Sequence, residues 1–194
     1  MSRTGCELKC YDQYGSWRPL NTGQWECMND MVMGLTWRDR IGSQVRIKQV
    51  SARAEIVWGN AVASRNVLRT MIFLDRQCGG VTPTLAEMWW TPGTSLVQWA
   101  QPIYWLYRDR FIPMYDKAWS TSMSYGGAAV GADPFQFLDF TVDCDIVTNF
   151  KSNTGTVADI VGNALFLYAY TSDSAVGANT PYFNWWTRVL YTDC

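Results

Sequence analysis

Asp139, Asp143 and Asp145, in the run FLDFTVDCDIV, are the densest carboxylates of the chain. In an extended strand these odd-numbered residues share one face. Such a row could hold calcium through oxygen ligands, or supply the two carboxylates of glycoside hydrolysis. The plainer reading is a solvated strand face, because Leu138, Phe140 and Val142 carry the apolar side and Thr141 extends the polar one. A second row is cationic. Arg38, Arg40, Arg46 and Lys48 recur at even positions, and in extended chain they line one face suited to phosphate oxygens. An ordinary solvated face is again the alternative. The glycine-rich run from Tyr125 to Gly131 lacks the Lys-Ser/Thr pair and the strand–loop–helix frame of a phosphate cradle, and reads as a surface loop. Serines are plentiful, but the chain has no histidine and only four lysines. That removes the usual general base, the commonest zinc ligand and the Ser-His-Asp arrangement together. The expectation is a protein without catalysis and without a cofactor.

The elements that position these residues belong to a chain of 194 residues, 48% hydrophobic and 17% charged. That is enough for one domain with a sizeable core, and it excludes disorder for the bulk of the chain. Aromatics reach 15%, with 11 Trp, more than one small core needs. Part of that surface is expected in subunit contacts or a ligand face. Trp89, Trp90, Trp99, Trp105, Trp119, Trp185 and Trp186 could stack on sugars or bases, although burial is the commoner fate of tryptophan. The net charge of -1 excludes a chain held to nucleic acid by its overall charge. The distribution is uneven, with +3 over residues 1–53 and -4 over 54–194. The opening MSRTGCELKC has no apolar leader core, and no stretch reaches the ~18 apolar residues of a membrane span, so synthesis inside the cell is expected and no membrane partner. Six cysteines without a repeated CxxC spacing read as reduced thiols, with disulfides or a zinc site completed by a distant thiol as alternatives.

Strand signals dominate. From Gln44 to Trp58, Val45 and Ile47 fall on one face, then Val50, Ala52, Ala54, Ile56 and Trp58 continue one residue out of phase. A slip at Gln49 predicts a β-bulge or bend. Met71 to Leu74 is apolar throughout, as a strand covered on both sides would be, and Gly79-Gly80 predicts a turn at positive φ. A short helix is predicted to start either at Thr82-Pro83 or through a Thr84–Glu87 capping box, and to end at Thr91-Pro92-Gly93. Further strands are predicted at Arg110 to Tyr115, Lys117 to Ser124, Phe135 to Val142, Ala164 to Thr171 and Trp186 to Tyr191, with loops at 124–134, 149–157 and 172–181. About eight short strands with polar loops and one short helix predict an all-β sandwich of two sheets in one domain, residues 34–194, entered through an N-terminal segment at 1–33.

Several segments taken in order resemble the capsid proteins of small circular single-stranded DNA viruses that encode a replication initiator (CRESS-DNA viruses). They are Gly34-Leu35-Thr36-Trp37-Arg38-Asp39-Arg40-Ile41-Gly42 with Val45-Arg46-Ile47, and the stretch from Arg69 to Thr84 with its Asp75-Arg76-Gln77-Cys78-Gly79-Gly80 turn. Arg110-Phe111 with Tyr115-Asp116-Lys117, then Gly155-Thr156, Asn163-Ala164-Leu165 and Arg188 to Asp193 follow. The resemblance implies a single eight-stranded jelly roll with the short helix after the Gly79-Gly80 turn. It implies self-assembly of about sixty identical copies into a small icosahedral, T=1-like shell around the genome, and so a virion protein made inside its host and assembled there or in the nucleus. Members of that family usually open with an Arg-rich arm. Here the opening carries only Arg3 and Lys9 against Glu7, so weak DNA contact is expected, through Arg38, Arg40, Arg46 and Lys48 on the inner wall. The loops at 124–134 and 172–181 are expected as outward tips for a host receptor. From the residues alone, the alternative is a jelly-roll carbohydrate-binding module that grips sugars with exposed tryptophans and holds calcium at Asp139, Asp143 and Asp145.

Overall fold

The structure, a computed structural model, describes residues 7–58, 67–88, 108–120, 135–172 and 180–193. Among the described residues nine strands, one α-helical turn and one 3-10 turn follow in order: β1 (Glu7–Trp17), β2 (Gln24–Cys27), β3 (Gln44–Val57), β4 (Val67–Asp75), α1 (Leu85–Met88), β5 (Phe111–Ser120), β6 (Phe135–Phe150), the 3-10 turn (Val157–Asp159), β7 (Ile160–Gly162), β8 (Ala164–Thr171) and β9 (Tyr182–Asp193). They form two antiparallel sheets, a larger one ordered β1-β9-β3-β6-β7 and a smaller one ordered β2-β8-β4-β5. The fold is therefore all-β and two-layered.

Pairing is nested. β1 pairs with β9, β2 with β8, β3 with β6 and β4 with β5, so partners lie progressively closer in sequence toward the middle of the chain. Between the sheets lies one hydrophobic cluster fed by both, together with Met88 of α1. On β3 the inward positions are Val45, Ile47, Val50, Ala52, Ala54 and Ile56, all buried. The register shifts between Ile47 and Gln49 against both β6 and β9, so the slip read at Gln49 is a bulge: Lys48 is the extra residue against β9, whereas against β6 the extra residue lies on β6, where Cys144 and Asp145 oppose Lys48. Every residue of β4 is buried, in line with its unbroken apolar run, and β8 matches it. Gly79 and Gly80 hold φ of 58° and 84°, the left-handed values the turn reading required. The helix starts by the Thr84–Glu87 route, with Glu87 accepting the Thr84 backbone N–H at 2.8 Å.

Several boundaries differ. The strands expected at 110–115 and 117–124 are one strand to Ser120, with a register shift where Pro113 and Tyr115 oppose Phe73 and Ile72. β5 is an edge strand of its sheet, where a residue lacking an N–H is tolerated. β6 runs on from Val142 to Phe150, which shortens the loop expected at 149–157, and β9 begins at Tyr182 rather than Trp186. β1 and β2 lie within the segment read as a lead-in, at 1–33, and form the edges of the two sheets. The loop at 124–134, most of 172–181, the helix end at 91–93, and Trp89, Trp90, Trp99 and Trp105 lie outside the described residues.

A buried amide ties the sheets together. Asn29, just past β2, donates to Thr148 Oγ1 on β6 at 3.0 Å and to the Asn163 carbonyl at 3.1 Å. It accepts the Leu165 N–H of β8 at 2.9 Å. Asn163 turns the corner between β7 and β8 at φ 61°, a conformation asparagine tolerates better than most side chains.

Candidate functional site

Two features of the larger sheet gather the side chains that could act on a partner: a braced loop at one end and an aromatic trough on its outer face.

The loop spans Met31 to Gly42 and contains half of the cationic row. Arg40 is 1% exposed. Its Nε donates to the Met31 carbonyl at 3.1 Å, Nη1 to the Gly42 carbonyl and Nη2 to the Ser152 carbonyl, while the guanidinium stacks on Phe150 at 4.1 Å. Arg38 lies in a turn with its guanidinium 4.8 Å from the Trp37 ring centroid. The expected row of Arg38, Arg40, Arg46 and Lys48 is thus not formed. Even spacing aligns side chains only in extended chain, and the strand starts at Gln44. Arg46 and Lys48 do reach the outer face, where both hold Asp145: Arg46 Nε at 2.5 Å and Lys48 Nζ at 3.0 Å. Hydrogen bonds from Arg46 and then Lys48 keep the Asp145 carboxyl well below the usual carboxylate range.

Asp139, Asp143 and Asp145 share the exposed face of β6, as alternation requires. Each meets a partner on β3: Asp143 accepts from Gln49 Nε2 at 2.7 Å, and Asp139 lies 3.4 Å from Arg53 Nε. Among the described residues no group of three or more His, Cys, Asp or Glu comes close enough to hold a metal ion, so the three aspartates do not converge on a calcium position. Their chemistry here is cross-strand charge pairing.

The rest of the loop is held from two strands, β1 and β9. Lys9 Nζ of β1 donates to the Asp39 carbonyl at 3.0 Å, Tyr191 Oη of β9 donates to the Arg38 carbonyl at 3.0 Å, and the Asp193 carboxylate accepts the Ile41 and Gly42 N–H groups. Within the loop, the Gly34 N–H bonds the Arg40 carbonyl at 3.0 Å and the Thr36 N–H bonds Asp39 Oδ2 at 3.0 Å. A Cβ at Gly34 would stand 2.2 Å from Asp39 Oδ2, so a larger residue there must displace the carboxylate that holds the Thr36 N–H. This bracing presents Leu35 at 96% exposure and Trp37 at 57%.

The trough lies toward the other end of the sheet. Two adjacent rungs cross four strands: Tyr14, Trp186, Arg53 and Asp139 in one, and Ser16, Asn184, Glu55 and Phe137 in the next. They line a shallow concavity of about 690 Å³. Tyr14 is 83% exposed and Phe137 68%. Trp186 is partly covered by Arg188, whose guanidinium lies 4.9 Å from its ring and is clamped by two 2.7 Å hydrogen bonds to Asp12. Asn184 Nδ2 donates to Glu55 Oε2 at 3.1 Å. Trp119 and Trp185, offered by the sequence as stacking platforms, are buried. Tyr14, Phe137, Leu35 and Trp37 went unread as a set. The rungs depend on register across strands far apart in sequence, and the one available signal was Gly34-to-Gly42 as a turn-rich run carrying three large apolar residues.

One titrating cluster lies near β1 and β2. Asp30 accepts Gln13 Nε2 at 2.8 Å and Tyr11 Oη at 3.1 Å. Burial pushes its carboxyl up to about 6, against the pull of those hydrogen bonds. The folded state then binds the proton more tightly than the unfolded one, so this group's contribution to stability declines as pH rises from about 4 to about 6. Asp30→Asn removes that dependence. Urea midpoints measured between pH 4 and 7 are expected to favour the variant, relative to wild type, progressively more toward pH 7, and a difference constant with pH would refute the assignment. Asp159 behaves oppositely. Burial opposes its ionisation, but hydrogen bonds from Ser152, Thr154 and the Gly155 N–H prevail and hold it at about 2, so its contribution is present above about pH 4 and is lost below.

A scan of protein-family models and a search of curated proteins return no match to this chain.

Proposed function

We propose that this chain is the subunit of a viral capsid: a jelly roll that assembles from about sixty copies into a small icosahedral shell around a circular single-stranded DNA genome. The observation that carries the reading is the strand order. Nested pairing of β1 with β9, β2 with β8, β3 with β6 and β4 with β5 describes one long antiparallel hairpin. Rolling that hairpin up sends its strands alternately into two four-stranded sheets, β1-β9-β3-β6 and β2-β8-β4-β5, with β7 added at one edge. That order supports the jelly-roll reading. Jelly rolls host unrelated functions, so the shell reading also leans on the ordered resemblance and on exposed apolar side chains such as Leu35, Trp37 and Ile41. Many weak contacts suffice for a shell, because closure adds neighbours to each copy. The DNA genome and the virion as the protein's location follow from the resemblance alone, and the buried Arg40 removes the cationic row as its support.

A carbohydrate-binding module is the second reading, favoured by the aromatic and amide rungs around Tyr14, Trp186 and Asn184. Native mass separates the two. The purified chain is expected to sediment as particles on the order of a megadalton. A single 22.1 kDa species at high concentration, in several buffers, would overturn the capsid reading.

A further inference from the structure

We infer that copies join head to tail, the Gly34–Gly42 loop of one seating Leu35 and Trp37 in the Tyr14–Trp186–Phe137 trough of the next. This rests on the capsid reading and names the surfaces it uses. Four observations converge on it.

The loop tip is apolar and exposed, with Met33 at 44% and Ile41 at 60% beside Leu35 and Trp37, a cluster that water disfavours on an isolated chain. It is also built in advance. Lys9, Tyr191, Asp193 and Arg40 fix its backbone, so docking orders little that is not already ordered. The trough offers matching chemistry, with exposed rings flanked by carboxylates. Arg38 rides on Trp37 at the tip, and the trough sets Glu55 and Asp139 against the single cation Arg53, a net acidic surface that suits Arg38. The Arg53–Asp139 contact is long and exposed on both sides, which leaves Asp139 able to take a second cation.

The fourth observation is distance. Arg53 lies nine residues along β3 from Gln44, where the loop ends, a span of about 30 Å at ~3.3 Å per residue. The rigid loop cannot fold back into its own trough. The contact therefore joins unlike surfaces on different copies, the heterologous geometry that closes into rings and shells when the rotation per step permits.

The test uses two double variants of exposed residues, a tip variant (Leu35→Ser with Trp37→Ser) and a trough variant (Tyr14→Ser with Phe137→Ser), each checked for folding by circular dichroism. Sedimentation is expected to show particles for wild type and single chains for either variant, a complete loss of the particle peak. Mixed in equal amounts, the variants keep one intact tip and one intact trough between them. They are expected to form a pair of chains that grows no further. Particles from either variant alone, or no pairing in the mixture, would overturn the contact while leaving assembly itself standing. A wild type that sediments as single chains would instead overturn the capsid reading beneath it. A trough variant that assembles normally but loses retention on immobilised oligosaccharides would overturn the contact in favour of the sugar-binding reading.

Discussion

Replacing Arg40 with methionine is expected to cost about 3–5 kcal/mol of folding stability, because several backbone acceptors lose their donor at once. Methionine keeps much of the stem but leaves three carbonyls, of Met31, Gly42 and Ser152, without their donor, and forfeits the stack on Phe150. Each buried acceptor left unpaired costs ~1–3 kcal/mol, although loop relaxation and water recover part of the sum. Arg40→Lys is expected to rescue little, because one ammonium cannot reach three carbonyls that a planar fork meets at once. Urea denaturation followed by tryptophan fluorescence measures this, with the midpoint falling and the slope unchanged. Arg46→Gln supplies the control. Its partner Asp145 sits on the exposed face, so the midpoint should barely move. If the two variants lose equal stability, Arg40 is not the clasp its burial indicates.

The second large effect is expected at Asp75. This carboxylate, fully buried at the end of β4, receives Arg110 Nε at 2.8 Å, Arg110 Nη2 at 2.9 Å and the Gln77 N–H at 3.0 Å. The same guanidinium reaches Glu87 of α1 at 2.8 Å, so one arginine fastens the helical turn to the sheet. Asp75→Leu strands Arg110 with a single, partly exposed partner and should cost about 3–5 kcal/mol. Glu87→Gln removes the exposed half of the network and should cost about 0–1 kcal/mol. Because much of the first penalty is an unpaired charge, adding Arg110→Leu to Asp75→Leu should restore part of the stability. A double variant as unstable as the sum of the two single ones would mean that the groups act independently.

Legibility in the sequence followed how local each cause was. The bulge at Lys48, the glycine turn and the doubly covered β4 were all readable, because alternation, positive φ and an unbroken apolar run are written in neighbouring residues. β1 escaped because it is an edge strand whose inward positions include Lys9, Gln13 and Gly15: Lys9 is buried against Asp193 and Gly15 lies under Trp185, both far along the chain, while Gln13 bonds Asp30. On paper β5 breaks at Asp116, but the strand runs through it, paired with Met71, and an edge position with a shifted register accommodates Pro113. The cationic row failed for a different reason. Its spacing was sound, while the chain between Arg38 and Gly42 was not extended, and Thr36 with Asp39 already carried the turn chemistry that bends it. The trough needed register over four strands, which no single segment encodes.

The outermost pairing has a consequence for synthesis. Glu7 sits opposite Asp193, and Tyr14 opposite Trp186, so among the described residues β1 finds its one sheet neighbour in β9, made more than 160 residues later. Until that final segment leaves the ribosome, β1 offers unpaired backbone along its length, and the closing contact spans nearly the whole chain. Such high contact order makes for slow folding. A nascent chain therefore has no finished larger sheet to offer a neighbour, and association through that sheet is deferred until β9 has been made.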